Sequence, residues 1–216
     1  LNDGTEHADE IVPVLGAAGF FRIGVAPELG GSGGSTADAI DAIARVAERS
    51  LTAAFVFWGQ RTFIEYLLQS PNAGLRESRL PALLTGELAG ATGLSNAMKF
   101  LSGIESLSIS ATPAGAGWRL DGTLPWVTNL RRAGFAVAAA VEPTDGQPPA
   151  VVAFFGDTPG ITRTVEGDIL HVTFECDLAD ADSIAAARAR GERWFAPLVQ
   201  TRLAPGWNER GDRLAE

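Results

Sequence analysis

The sequence predicts an α+β protein: an N-terminal helical domain, then a small antiparallel β-barrel or sandwich, then the start of a C-terminal helix. Three observations carry this. Apolar residues recur at helical spacing through the first third of the chain. At Gly86 the texture changes to short runs rich in Val, Ile, Thr, Phe and Trp, separated by glycine and proline turns. Helical signal returns at Asp182. The expected domains are therefore residues 1–86, 87–178 and 179–216.

Glu6 to Phe20 reads as the first helix, with Ile11, Val14, Leu15 and Ala18 on its inward face. Gly19 and Pro27 bracket a short apolar stretch, Phe20 to Val25, and Gly30 to Gly34 is a glycine-rich loop. Ser35 is the expected N-cap of a second helix, Thr36 to Arg49, with Asp38 completing a capping box and Ile40, Ile43, Ala44 and Val46 inward. A third helix runs from Leu51 to Gln69. Its apolar content from Ala53 to Trp58 exceeds what a one-faced surface helix needs, so burial on several sides is expected. Pro71 ends it. Leu75 to Leu84 forms one further short helix.

The predicted strands are Leu88–Leu94, Leu107–Thr112, Trp118–Leu124, Trp126–Thr128, Ala136–Val141, Val151–Phe155, Ile161–Val165 and Val172–Cys176. Pro113 to Gly117 reads as a hairpin turn and Asp121-Gly122 as a second tight turn. Short strands at this spacing suit a barrel or sandwich. A closing helix is expected from Asp182 to about Leu203.

Composition narrows the function. The chain has 216 residues, 46% hydrophobic and 20% charged, enough for a sizeable core. A net charge of −9 argues against a nucleic-acid or anionic-membrane surface. No run of 18 apolar residues suggests a membrane span. The N-terminus lacks the basic and apolar regions of a signal peptide and an initiator methionine, so processing or trimming is expected there. Cys176 is the single cysteine, which excludes an internal disulfide or cysteine-rich metal site and suits a reducing cytoplasm. His7 and His171 stand far apart, without a neighbouring ligand pattern or a Ser-His-Asp arrangement.

Three motifs then fall in a recognisable order. Leu15 to Phe20 reads Leu-Gly-x-x-Gly-Phe and is followed by Ala-Pro-Glu-Leu-Gly-Gly-Ser-Gly at Ala26 to Gly33. Arg79 to Glu87 reads Arg-Leu-Pro-Ala-Leu-Leu-Thr-Gly-Glu. Trp118 to Asn129 reads Trp-Arg-Leu-Asp-Gly-Thr-Leu-Pro-Trp-Val-Thr-Asn. Over Leu15 to Phe155 the chain resembles the acyl-CoA dehydrogenase family, whose glycine loop, interdomain link and Trp-Ile-Thr-Asn signature have this order.

The resemblance implies FAD as cofactor, an acyl-CoA or related thioester as substrate, an electron-transferring flavoprotein as electron acceptor and a homo-oligomer as the working assembly. An isoalloxazine ring is broad, flat and partly apolar, so the indole of Trp126 offers it a matching face. On a strand, Thr128 returns to the same side as Trp126 and reaches the ring edge, toward a cleft between the domains. In the family this threonine hydrogen-bonds the flavin near its reactive nitrogen, a contact of the kind that tunes the ring. Ser95 stands where the family's threonine contacts the pyrimidine side, and Leu94 offers a backbone amide. Ser102, with Gly103, stands as a displaced remnant of the family's Gly-Ser-Asp turn and is the candidate substrate contact.

Several features depart from the family pattern. Asn96 and Ala97 replace its Glu-Pro, Leu124-Pro125 replaces the lysine before the tryptophan, and the connection into Ile169 to Asp177 is short. Arg193 to Gln200 resembles the opening helix of the family's C-terminal bundle, whose base glutamate and inter-subunit FAD contacts have no counterpart in the 216 residues. The catalytic base is therefore unassigned; Glu175 and Glu209 read as solvated carboxylates. Two other functions stay open: a flavin-dependent monooxygenase of the same fold, and a noncatalytic assembly subunit or fragment. Fold analogy does not choose among them.

Overall fold

The computed structural model describes residues 9–115, 117–166 and 169–178. The helix expected over 182–203, the third domain at 179–216 and His7 lie outside the described residues. Within them the order is helices α1 (Ile11–Ala17), α2 (Thr36–Ala47), α3 (Leu51–Gln69) and α4 (Ala73–Thr85), strand β1 (Ala89–Thr92), helix α5 (Ser95–Leu101) and strands β2 (Ile109–Ala114), β3 (Gly117–Leu124), β4 (Phe135–Pro143), β5 (Ala150–Phe155), β6 (Ile161–Glu166) and β7 (Ile169–Leu178). The α+β class stands.

Helix α3 organises the helical layer. Nine of its residues are buried, on faces that meet α1, α2, α4 and the sheet, as its all-round apolar sequence predicts. Its Ser50 N-cap accepts the Ala53 N–H at 3.2 Å, and the chain leaves helical geometry at Ser70, one residue before Pro71. Arg61, 4% exposed, ties the helix to the Phe20–Val25 stretch. Its guanidinium donates to the carbonyls of Ile23 (3.3 Å) and Gly24 (3.0 Å) and to Glu65 (2.8 Å).

Helix α1 differs from its predicted face. Ile11 and Leu15 are buried, but so are Val12 and Gly16, while Val14 is 48% exposed and Ala18 is exposed. The cause is a close backbone approach: a Cβ on Gly16 would lie 2.2 Å from the Thr85 carbonyl oxygen, and one on Gly86 would lie 2.5 Å from that of Val12. The helix must present its Val12–Gly16 stripe to the end of α4. Helix α2 differs too. Only Ala39 is buried; Ile40 and Ala44 are exposed, and Ile43 and Val46 are half-buried against the core edge. It packs chiefly on α3, so one narrow stripe suffices.

Helix α4 ends at Thr85 with Gly86 in the left-handed region, and β1 follows at Ala89. The sheet is built around β4, which is buried along most of its length. It pairs in parallel with β1, antiparallel with β5 and, at Glu142 and Pro143, in parallel with Ser110 and Ala111 of β2. From β2 the ladder continues antiparallel through β3 and β7 to β6. The sheet is thus mixed. Hairpin signals reveal sequential antiparallel pairs such as β2–β3 and β4–β5, but a parallel pairing needs a long crossover that leaves no local turn signal. Pro113 to Gly117 does turn between β2 and β3. Asp121-Gly122 does not: both lie inside β3, and Gly122 is needed because a Cβ would sit 2.1 Å from the Ser108 carbonyl oxygen. One apolar core runs from Ile11, Phe57, Ile64 and Leu83 under β1 and β4 to Phe154. No helix among the described residues is long and apolar enough to cross a membrane.

Two outcomes follow from this packing. Gly16→Ala drives a methyl into backbone and lowers stability in urea by about 1–3 kcal/mol, with Ala17→Gly on the exposed face as the milder control. At the start of α2, Ser35 Oγ accepts the Asp38 N–H (3.3 Å) and the Asp38 carboxylate accepts the Ser35 N–H (2.7 Å). The Ser35 hydroxyl, then its backbone N–H, hold the Asp38 carboxyl below its ordinary value. A lowered folded pKa gives protection that is complete above the unfolded value and fades as pH falls through the folded one. First-turn amides of α2 therefore lose protection, measured against their intrinsic exchange rates, as pH falls, and Ser35→Ala lowers that protection about fivefold at neutral pH; unchanged protection in Ser35→Ala would remove the cap from the account.

Candidate functional site

The candidate site is the corner where α3 meets the ends of β1 and β3. Gly59 and Gln60 of α3 face this corner. A Cβ on Gly59 would lie 3.3 Å from the Thr128 Cγ2, so the missing side chain lets the segment after β3 lie close on the helix. Gln60 is fully buried and uses its whole hydrogen-bonding capacity. Its Nε2 donates to the carbonyls of Leu83 and Leu88, both at 2.9 Å. Its Oε1 accepts the Gly90 N–H at 2.6 Å and the Asn129 Nδ2 at 3.1 Å. Asn129 Nδ2 donates also to the Gly90 carbonyl at 3.0 Å.

Trp126 and Thr128 do not share a strand, as the two-residue spacing predicts. β3 ends at Leu124, and Trp126 has φ 60°, in the left-handed region; Asn129, at φ 68°, is the other non-glycine residue there among the described residues. Such backbone is uncommon for a bulky side chain. It turns the indole outward: Trp126 is 62% exposed, whereas Val127 is buried. Thr128 forms an isolated antiparallel bridge with Thr92, whose N–H donates to the Thr128 carbonyl at 3.3 Å. Thr128 directs its methyl at Gly59.

The antiparallel bridge pairs Thr92 with Thr128, and it sets Leu94, two residues after the one, and Trp126, two residues before the other, on the same side of the bridge. Leu94 is buried and its N–H points to Thr92 Oγ1 at 3.4 Å. Ser95 is not a strand residue: it opens α5 and is exposed. Ser102 lies at the other end of α5, about 10 Å along the helix axis from Ser95, and its hydroxyl donates to the Met98 carbonyl at 2.9 Å. The corner does not include it. Asn96, 4% exposed, ties α5 to the loop that follows it. Its Nδ2 donates to Glu105 (2.8 Å) and the Ser106 carbonyl (3.0 Å), and its Oδ1 accepts the Ser108 N–H (2.9 Å). That folds the return loop against α5.

The other wall is α3 itself. Leu51, Phe55 and Trp58 lie on one exposed stripe; Phe55 and Trp58 stack with centroids 5.3 Å apart. Tyr66 lies further along, half-buried, and hydrogen-bonds Thr92. Gln60, Asn129, Tyr66 and Thr92 thus shape the corner without having been singled out from the sequence. A lone glutamine inside the apolar run of α3 was the signal for the first. Asn129 stood in the motif without a role.

An outward indole and a hydroxyl-bearing strand end stand at the corner, and α3 carries an exposed aromatic stripe of its own, surfaces of the kind that suit a flat, partly apolar ring. Among the described residues no group of three or more His, Cys, Asp and Glu is arranged to hold a metal ion.

Residues 2–87 match the family model described as the acyl-CoA dehydrogenase N-terminal domain. Solved structures share the wider fold. Butyryl-CoA dehydrogenase from Megasphaera elsdenii is similar at 21% identity and a TM-score of 0.66, over 84% of this chain and 50% of that one. A glutaryl-coenzyme A dehydrogenase in complex with glutaryl-CoA matches at 21% identity and a TM-score of 0.70, over 91% and 53%. An acyl-CoA dehydrogenase from Bacillus anthracis complexed with FAD matches at 18% and 0.66, over 83% and 32%. The chain spans about half the length of the first two or less of the third. The resemblance to acyl-CoA dehydrogenases is borne out: the helical part matches that family's N-terminal domain, and the described chain has the fold of its N-terminal and middle parts.

Tyr66 is the single tyrosine, which makes the wall directly measurable. Burial pushes its phenol up to about 12, against a smaller opposing effect of the Thr92 hydrogen bond. A raised folded pKa means the folded state keeps its proton longer; the associated stability is complete below the usual value near 10 and is lost as pH rises through about 12. An ultraviolet phenolate titration is expected to show one transition near 12, moving down towards 10 in urea; a native midpoint at 10 would place Tyr66 in water.

Proposed function

We propose that this protein is an FAD-dependent, acyl-CoA dehydrogenase-like oxidoreductase that introduces an α,β double bond into an acyl thioester. The observation that carries the reading is the outward, left-handed Trp126 beside the Thr92–Thr128 bridge. Trp126 offers the ring a face, Thr128 and Ser95 offer hydroxyls at its edges, and the aromatic stripe of α3 keeps water from one side. FAD, when bound, supplies the hydride acceptor: the α-proton leaves to a carboxylate base and the β-hydride to the flavin, whose electrons then pass to an electron-transferring flavoprotein. No described residue is assigned as that base. Division of the chain at Gly86 into a helical and a β domain, acyl-CoA as substrate and assembly as a homo-oligomer belong to the same proposal.

The altered Ser95-Asn96-Ala97 stretch, which opens α5, keeps one second reading open, a flavin-dependent monooxygenase that uses reduced flavin and oxygen. The two differ in what changes the bound flavin.

Titration with FAD, followed by flavin fluorescence, is expected to show saturable quenching, weakened about tenfold in Trp126→Ala, a loss equivalent to roughly 1.4 kcal/mol. Where a carboxylate base completes the site, anaerobic addition of acyl-CoA then bleaches the bound flavin. Equal FAD affinity in both proteins would overturn the flavin site. Bleaching absent with acyl-CoA, together with substrate-dependent oxygen uptake by the reduced flavoprotein, would replace dehydrogenation by oxygenation.

A further inference from the structure

We propose that Asn129, held by Gln60, is a positioning residue for the flavin wall: the two carboxamides set where Trp126 and Thr128 stand. The proposal rests on the flavin reading above and adds to it two residues that touch no ligand.

Two residues of the wall depend on backbone that disfavours ordinary side chains, because Trp126 at φ 60° and Asn129 at φ 68° flank Thr128 on both sides. Strained backbone of this kind persists only when surrounding contacts over-determine it. At Trp126 the side chain supplies little of that restraint, since the residue is 62% exposed. The restraint comes from the other end. Asn tolerates the left-handed region better than most residues, and the Asn129 amide bonds Gln60 Oε1 and the Gly90 carbonyl. Gln60 in turn joins the end of α4, the linker at Leu88 and β1 at Gly90. Gly59, next to Gln60, takes the Thr128 methyl. Helix α3 and β1 therefore fix Asn129, Asn129 fixes Thr128 one residue before it, and the Thr92 bridge closes the segment that presents Trp126. A simple filler of the corner would need neither amide: an alanine at 129 would pack, but it would leave Gln60 Oε1 and the Gly90 carbonyl short of a donor.

The test compares the protein with Asn129→Gly, Asn129→Asp and Trp126→Ala. Glycine keeps the left-handed backbone and removes the amide; aspartate keeps the size but sets carboxylate oxygens against Gln60 Oε1 and the Gly90 carbonyl. Each is titrated with FAD, and the visible band and reduction potential of the bound flavin are recorded beside thermal midpoints. Asn129→Gly and Asn129→Asp are expected to weaken FAD about fivefold to tenfold and to shift the band and potential, at temperatures where circular dichroism shows the native fold. If both lower the thermal midpoint but leave affinity, band and potential as in the parent, Asn129 is only structural and the proposal falls alone. If Trp126→Ala leaves FAD binding unchanged, or the parent binds no FAD, the flavin reading falls and takes the proposal with it.

Discussion

The Gln60 carboxamide is the constraint around which the described structure closes. It is buried at the centre of a helix packed largely by apolar residues, where an unpaired amide would cost roughly 1–3 kcal/mol per missing partner. Every donor and lone pair is used, and the four partners belong to four places: the last turn of α4, the linker at Leu88, β1 and the segment after β3. A side chain one methylene shorter could not reach all four. Through it the helical layer and the sheet share one register, and the core beneath them is continuous.

The same helix shows how neighbouring residues divide labour. Arg61 reaches the opposite way, to the carbonyls of Ile23 and Gly24, with Glu65 balancing its charge at 2.8 Å. Buried charge is tolerated there because the guanidinium fork is filled on each side. Gly59 contributes by absence, leaving room for Thr128. Three consecutive residues thus fix the N-terminal loops, the sheet and the wall of the candidate site. The exposed stripe through Phe55 and Trp58 remains available to line the corner beside them.

Helix α5 is where this chain departs from the family pattern in sequence. Asn96 occupies the position of a family glutamate, and its amide serves the chain itself, holding Glu105, Ser106 and Ser108. The Asn96 hydrogen bond holds the exposed Glu105 carboxyl below its ordinary value, against a smaller effect of desolvation, and Lys99 adds to the lowering. The segment that carries Ser95 and Ser102 is therefore organised from within. The two serines, seven positions apart, thus stand at opposite ends of α5.

The sequence by itself determined the α+β class, α3 from Leu51 to Gln69, the Ser35 capping box, the change at Gly86 and nearly all the strands. These follow from local causes: periodicity, caps, glycine and proline. It also placed Trp126 and Thr128 in one motif and so pointed to the corner. Only the tertiary structure decided the rest. The parallel pairing of β1 with β4 joins residues more than forty positions apart, and no turn marks it. The inward face of α1 was set by a backbone contact with α4, not by its own hydrophobic pattern. The left-handed turn at Trp126 overrode strand periodicity because Asn129 finds its partners on α3 and β1, sixty-nine and thirty-nine residues earlier in the chain. Local propensity carries no information about such partners; they exist only once the layers have packed.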